Sequence, residues 1–588
     1  MKRILGWVFF GLTLVAVVAM AVGAYLLATY SWNAVVNYES AYARLDIPPA
    51  MTGSSVASTT ILVVVDGLSE TASRRMDGLN RLRQYGTDLT LTAPQPSLSY
   101  PNWTTILSGA PPAVSGVTTN WFSGRVPVET LLDTAARAGV PYIVVAPEDF
   151  GELYGAERAT ASFLTSYPTT YFASTELVEE ATALVRRVRP RLAIIHLPDV
   201  DNAGHHYGAG SEEYADVVRQ VDADIAKLVE AVQSEGTAFA IVADHGHIDS
   251  GGHGGWEESV VDVPGVFFGE GLPLGQGDAL LEDVAPTVAL IAGVPSPRFA
   301  KGEAIPVVVG TSDMARLRPS WHQRVWFAND YVRLVTEPTG VSPGSLLSED
   351  AHGDPITELM ASADATRLAF DREQRVWLGL AGLGASLAIL IAIGIASWRA
   401  LVAGLCGAGA YFLVYNAMYF VVHGYRWSLS SFNEESLVQA FFNGRMVEAA
   451  LAGLLAAAVA AMVYPALRRY PKGPRGRYLA GWLTLGPATI LVILALIGVQ
   501  VAWYVWAWGI EPVWGIPDLR AGFKYDLDLI QATALGVAGL LSPLVTYLVG
   551  RYHPRVRRAS GGPDSDSAGA ASPVRPLVPA GSAASAEE

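Results

Sequence analysis

The chain has one cysteine, Cys406, in 588 residues. An internal disulfide is impossible and a cysteine-based zinc site is excluded, so any metal must be held by histidine and carboxylate. Charge is scarce, at 16% Asp, Glu, Lys and Arg, and the balance is acidic, with 40 basic residues against 55 acidic. The formal net charge of −15 argues against a nucleic-acid partner. Histidine is also rare, with ten in all, yet six (His196, His205, His206, His245, His247 and His253) crowd into one short region.

What the chain has in excess is apolar sequence, 51% of residues, more than a typical soluble protein carries. The stretch 4–30 is long enough to cross a bilayer, follows Lys2 and Arg3, and lacks a small-residue cleavage site, so it reads as an anchor rather than a signal peptide. Five further apolar stretches follow a long mixed region, at 376–397, 400–422, 447–467, 479–508 and 529–550. With six spans, Lys2-Arg3, Arg399, "RRYPKGPRGR" (468–477) and "RYHPRVRR" (551–558) all fall on one side, which the positive-inside rule makes cytoplasmic. The mixed region then lies outside. The expected organisation is an anchor at 1–30, a linker at 31–55, an extracytoplasmic domain at 56–310, a connecting segment at 311–375, a five-span bundle at 376–550 and a disordered cytoplasmic tail at 551–588.

The mixed region reads as α/β. "TTILVVVDG" (59–67) is a β-branched run ending in Asp-Gly, as in a buried parallel strand. "PYIVVAPED" (141–149), "RLAIIHLPD" (191–199), "AFAIVADHG" (238–246) and "VPGVFFG" (263–269) read as further strands. The stretches 78–86 and 211–236 have helical periodicity. Strands alternating with helices predict a mainly parallel sheet sandwiched by helices, with ligands bound beyond the carboxyl ends of the strands.

Metal-capable residues sit at those ends. Asp66 follows "ILVVV"; its plainer reading is a turn aspartate. Asp201 and His205 stand four residues apart in "DVDNAGHHYG", with Asp199 as a competitor. Asp244 and His245 end a strand, and His253 lies in "GGHGG", where few bulky neighbours hinder a ligand. His196 and His247 read as interior, non-ligand histidines, and His206 as a neighbour of the site. Three carboxylates and three imidazoles suffice for two divalent ions such as zinc, which could clamp the oxygens of a phosphoryl transfer. A hydroxyl nucleophile would come from "PSLSYPNWTTILSGAPP" (96–112), where Ser97, Ser99, Thr104, Thr105 and Ser108 compete.

Taken in order, these segments resemble the alkaline phosphatase superfamily, in its type I phosphodiesterase/nucleotide pyrophosphatase branch. "VVVDG", "SLSYPNWTTILSGAPPAVSGVTTN", "DNAGHHYG", "ADHG" and "GGHGG" are similar to that branch's successive motifs, over about 56–306. The resemblance implies the alkaline phosphatase-like fold. It also implies a nucleophile at Ser99, where the branch usually has Thr. One ion would be held by Asp66, Asp244, His245 and the Ser99 oxygen, and a second by Asp201, His205 and His253. Asn120 matches a residue that binds a phosphate oxygen; the plainer reading is a turn residue, and Asn102 reads as structural. No cysteine stands at position 99, against a sulfatase.

The order of anchor, external domain and multi-span bundle resembles the GPI ethanolamine-phosphate transferases in layout. The leading expectation is a two-metal phosphodiesterase acting on a nucleotide or lipid-linked phosphodiester outside the membrane. The second is a phosphoethanolamine-type head-group phosphotransferase, and the third a non-catalytic membrane scaffold. The segment 423–446 reads either as a surface lying along the outer interface or as a solvated loop.

Overall fold

The computed structural model describes residues 2–50, 52–166, 172–310, 314–341, 346–348, 351–467 and 479–553. The basic stretch 468–477 and the tail beyond His553 lie outside the described residues. Valine and isoleucine runs without polar interruption form the middle of the sheet, because a strand covered on both faces gains from burying every side chain. β1 (Thr59–Val65) is buried along nearly its whole length, and β5 (Leu192–Leu197) and β6 (Thr237–Ala243) along all of theirs. The other strands are β2 (Gly86–Thr92), β3 (Tyr142–Pro147), β4 (Ala161–Thr165), β7 (Asp262–Gly269) and β8 (Gly275–Leu280). Their order is β4-β3-β5-β1-β6-β7-β2-β8; only β7 runs against its neighbours, pairing antiparallel with β6 and β2. β2, β4 and β8, not read from the sequence, are the polar or edge members; β8 is mostly exposed.

Register decides where the chemistry lands. β1 pairs in parallel with β5 and β6, with Val65 opposite both Leu197 and Ala243. Asp66 and Asp244 therefore leave the sheet side by side, and the turn after Leu197 opens the helix Asp199–Tyr207 at the same edge. Gly67 completes the approach: at φ 74° it adopts a conformation that disfavours other residues, and a Cβ there would stand 2.6 Å from the Asp201 backbone. The helix Ser174–Val188 packs on β3 and β5, and Val284–Ala292 packs on β1 and against the helix Ser99–Ser108.

The expected connecting segment 311–375 is more than a tether. The helix Met314–Thr336 and the start of the next helix place Leu317, Phe327, Val332, Ile356 and Met360 in the hydrophobic core of the α/β domain.

Among the described residues, five helices are long and apolar enough to cross a membrane: Gly6–Val36, Asp354–Val422, Val438–Leu467, Leu479–Trp508 and Leu519–Tyr552. The second contains both 376–397 and 400–422, separated by an extended residue at Ser397 (φ −165°, ψ 99°). Before the break Gly379 and Gly382 face Trp506 and Ala502; just beyond it Leu401 folds back to within 3.2 Å of the position a Gly394 Cβ would take. The last helix begins ten residues before the expected 529, since Asp518 caps it by accepting from the Ala521 amide. Gly6 lies against Ala480, and Gly550 against Trp482, so these three helix ends share one side of the bundle.

Candidate functional site

Asp66 and Asp244 are buried at the carboxyl edge of the sheet. Asp244 Oδ1 accepts from the backbone amides of Gly67 (3.1 Å) and His245 (2.9 Å). Asp66 Oδ2 lies 3.0 Å from His196 Nε2. The remaining oxygens, Asp66 Oδ1 and Asp244 Oδ2, are buried without a hydrogen-bond partner among the described residues, and each lies 3.4 Å from His245 Nε2. Asp201, in the first turn of the helix Asp199–Tyr207, stands with Oδ2 3.5 Å from His205 Nε2 and Oδ1 3.9 Å from His253 Nε2. His205 and His253 bring their Nε2 atoms to 3.2 Å, and the His245 and His253 rings stack at 3.9 Å.

The tautomers follow from what the other ring nitrogens meet. His253 Nδ1 faces the Ser97 carbonyl at 3.1 Å, and His245 Nδ1 the Gly246 carbonyl at 3.3 Å. A carbonyl only accepts, so each Nδ1 carries the proton and each Nε2 lone pair points inward. His205 Nδ1 lies 3.4 Å from Asn433 Oδ1, whose amide nitrogen donates to the His205 carbonyl at 2.6 Å, which gives the same orientation. Three groups, Asp66–Asp244–His245, Asp201–His205–His253 and Asp201–His245–His247, each offer ligand atoms within 4.8 Å of one another. Unpartnered buried carboxylate oxygens and inward lone pairs are the donor set a divalent cation requires, with outer carbonyls fixing the rings.

Electrostatics point the same way. Burial, then the charges of Asp244 and Asp201, push the Asp66 carboxyl well above the usual carboxylate range. Burial also raises Asp244. Burial opposes ionisation of Asp201 too, but the imidazoles of His205, His247 and His253 together hold it well below that range. A cation among these groups would let all three carboxylates ionise.

The five competing hydroxyls separate by geometry. Ser97 donates to the Pro94 carbonyl, Thr105 to Pro101 and Ser108 to Thr104, while Thr104 pairs with the Tyr154 hydroxyl at 3.0 Å. Ser99 Oγ lies 3.2 Å from His245 Nε2. It opens the helix Ser99–Ser108, whose amino end favours a developing negative charge. Asn120 is beside it, with Oδ1 accepting from the Tyr100 amide at 2.9 Å. Asn102 is buried and donates to the Asp244 carbonyl at 2.8 Å, bracing the β6 end.

The remaining histidines and Asp199 have other places. His247 Nε2 faces Asp201 Oδ1 at 2.8 Å, and burial pushes its pKa down to about 4, so it donates to the carboxylate as a neutral ring. His196, fully buried and pushed down to about 3 by burial, packs edge-on against Trp103 while touching Asp66. His247 thus supports a metal-capable carboxylate, while His196 lies beside one without a hydrogen bond to it among the described residues. His206 is exposed against Tyr207. Asp199 accepts from the amides of Ala173 and Ser174 at the start of the helix Ser174–Val188.

Sequence reasoning missed the contribution of the bundle. The segment 423–437 docks on the loop carrying His253. Ser428 and Ser430 donate to the buried Glu257 carboxylate at 3.0 and 2.9 Å, Trp256 Nε1 donates to the Trp427 carbonyl, and Asn433 holds His205. This explains much of the glycine run: a Cβ on Gly251 would stand 2.5 Å from Asn433 Oδ1, and one on Gly252 2.5 Å from the Ser430 carbonyl. Beside Ser99, Leu98, Thr119 and Trp121 share an apolar crevice with Trp32 of the first helix and Trp508 and Phe523 of the last two.

Buried carboxylates and oriented imidazoles surround a helix-opening serine at the carboxyl edge of a mainly parallel sheet, a donor set that could hold divalent cations beside a hydroxyl. Residues 60–137 and 147–258 match the family model of type I phosphodiesterase/nucleotide pyrophosphatase, and the chain carries a domain of that family, within the alkaline phosphatase superfamily. It is 29% identical over 136 residues to GPI ethanolamine phosphate transferase 1 of Yarrowia lipolytica, covering 18% of this chain and 15% of that one. It is 24% identical over 208 residues to GPI ethanolamine phosphate transferase 3, catalytic subunit, of Homo sapiens, covering 34% and 19%. The matches thus span less than a quarter of these relatives' own length. Murine ectonucleotide pyrophosphatase/phosphodiesterase 5 aligns in structure at 11% identity over 44% of this chain and 99% of its own, with a TM-score of 0.34. With its long apolar helices, the chain is a multi-pass membrane protein.

Proposed function

We propose that this protein transfers a phosphoethanolamine-type head group from a lipid-linked phosphodiester to an acceptor hydroxyl outside the cytoplasmic membrane. The observation that carries this reading is the apolar crevice that joins the Ser99 segment to three membrane helices. A soluble nucleotide would have no use for such a wall, whereas a lipid-linked phosphodiester would lie along it with its phosphorus near Ser99. The ethanolamine phosphate named in the relatives' function supports the choice of head group.

Asp66, Asp244 and His245 would hold one divalent ion, zinc by donor type, and Asp201, His205 and His253 a second. When bound, such ions neutralise phosphate charge and lower the pKa of a nearby hydroxyl. Ser99 Oγ attacks phosphorus, the bond from phosphorus to the lipid oxygen breaks, and the serine proton ends on the departing lipid alcohol. The head-group phosphate is left as a diester on Ser99. The acceptor hydroxyl then attacks, its proton returning to Ser99. The amino end of the Ser99 helix favours the charge that builds on the nucleophile and phosphoryl oxygens. Asn120, held against that helix by the Tyr100 amide, is placed to contact a non-bridging oxygen. The three helix ends at Gly6, Ala480 and Gly550 carry the basic flanking sequence, so that side is cytoplasmic, as are both termini, and the chain crosses six times.

Reconstituted protein given a phosphoethanolamine lipid with labelled head group and an excess of glycan or lipid hydroxyl is expected to yield labelled acceptor, read by mass spectrometry. Label released only as free ethanolamine phosphate would favour hydrolysis, the second reading. Intact donor in the presence of zinc would overturn both.

Asn433 acts on the site from the bundle. Asn433→Ala is expected to weaken zinc binding at the Asp201–His205–His253 group by about 10- to 100-fold, because His205 loses the partner that fixes its ring. Titration of the stripped protein with zinc and a competing chelator measures this, with the Asp66–Asp244–His245 affinity unchanged as the internal control.

A further inference from the structure

A second cavity lies beside the metal loop without including any of the proposed ligands. Its volume is about 1260 Å³, above the usual range for a small-molecule pocket. One wall comes from the α/β domain and carries Asp249, Glu257 and Glu258. The facing wall comes from the bundle and carries His423, Arg426 and Arg445.

Arg445 is the unusual member. It is 5% exposed, two turns into the helix Val438–Val463, with the Tyr425 and Phe441 rings at 4.9 and 5.5 Å from its guanidinium. Nη2 donates to Glu448 Oε1 at 2.6 Å and lies 3.4 Å from His423 Nε2. Nε and Nη1 are buried with no hydrogen-bond partner among the described residues. An arginine kept only to neutralise Glu448 would not need two further buried donors beside a large cavity. A guanidinium with free N–H donors suits a phosphate-type oxyanion, which it can meet with a charge-assisted hydrogen bond. The chain just before it is shaped to the same rim: a π-helical turn at Ala417–Val422, closed by the His423 amide on the Met418 carbonyl at 3.0 Å, brings His423 and Tyr425 to the cavity. The acidic far wall repels an anion and confines it to the bundle side. Arginine near a helix end at the membrane surface also stands at the level of lipid phosphates.

We propose that this cavity is a phosphate-type anion subsite built around Arg445, separate from the metal centre and taking the phosphate of a membrane lipid head group or free phosphate. It does not rest on the transferase reading, because it is a statement about binding alone.

The test uses the full chain in detergent, titrated with short-chain phosphatidylglycerol, with inorganic phosphate, and with short-chain diacylglycerol as the uncharged control. Phosphatidylglycerol is expected to bind and diacylglycerol not to. Arg445→Gln is expected to weaken phosphatidylglycerol binding at least tenfold. Gly444 also lines the cavity, and no atom lies within 4 Å of where its side chain would begin, so Gly444→Leu fills the space without a clash and should do the same. It decides the matter if Arg445→Gln fails to fold. If inorganic phosphate alone binds, and is lost in both variants, the anion site stands and its source is free phosphate. Wild-type binding of both anions in Gly444→Leu, or equal binding of phosphatidylglycerol and diacylglycerol, would overturn the proposal.

Discussion

Replacing Ser99 with alanine is expected to reduce phosphodiester turnover by about 10³-fold or more, the scale on which loss of a covalent nucleophile acts. The reason is placement. Ser99 Oγ lies 3.2 Å from His245 Nε2, whereas the other four hydroxyls of the segment are committed to carbonyls or to Tyr154. Ser97→Ala should therefore leave turnover within a few-fold of wild type, and Ser99→Thr, which keeps the hydroxyl, should retain most of it. A chromogenic phosphodiester in the presence of zinc gives the rates, and capture of labelled phosphate on the wild-type protein but not on Ser99→Ala identifies the covalent step. Ser99→Ala turnover at the wild-type rate would remove Ser99 from the reaction.

Stripping divalent ions is expected to have a comparably large effect, abolishing turnover and lowering the thermal midpoint together. Asp66, Asp201 and Asp244 are packed at one sheet edge, and two of their buried oxygens have no hydrogen-bond partner among the described residues. Like charges so placed oppose folding unless a cation sits among them. An ion present at a thousand times its dissociation constant contributes about 4 kcal/mol, which chelation removes. Asp66→Asn should behave differently. It takes one carboxylate out of the repulsion and one ligand out of the site, so its thermal midpoint should respond far less to chelator than the wild type's. Scanning calorimetry of both proteins, with zinc and with chelator, reads this directly. Equal responses to chelator would count against a cation at Asp66.

The motifs were legible because they are local. Asp66 at the end of "ILVVV", Asp244-His245 at the end of "AFAIVA" and the four-residue step from Asp201 to His205 each put metal-capable groups at an element boundary, and strand alternation with helices gives the parallel sheet. β2 (Gly86–Thr92) escaped because it is threonine-rich and alternates buried with half-buried positions, and β8 (Gly275–Leu280) because it is an exposed edge strand whose place is set by β2 alone. The break at Ser397 agrees with a short polar gap between two apolar runs. The extra turns before 529 are visible only as the Asp518 cap.

Composition and order along the chain thus determined a membrane-spanning protein with an α/β domain, the exclusion of an internal disulfide and of a cysteine-based zinc site, and a short set of His, Asp and hydroxyl candidates, because these depend on residue type and on spacing within one strand or helix. Only the tertiary structure set Ser99 Oγ beside His245 while committing the other four hydroxyls elsewhere, placed His247 on the Asp201 carboxylate, and brought Asn433 onto His205 and Ser428 and Ser430 onto Glu257 from far along the chain, since such contacts are set by strand register and by the packing of one domain on another. The glycines around His253 show the division best: the sequence displays them, but their need is physical only in the fold, where Gly251, Gly252 and Gly254 take positive φ and the bundle segment leaves no room for a Cβ on the first two.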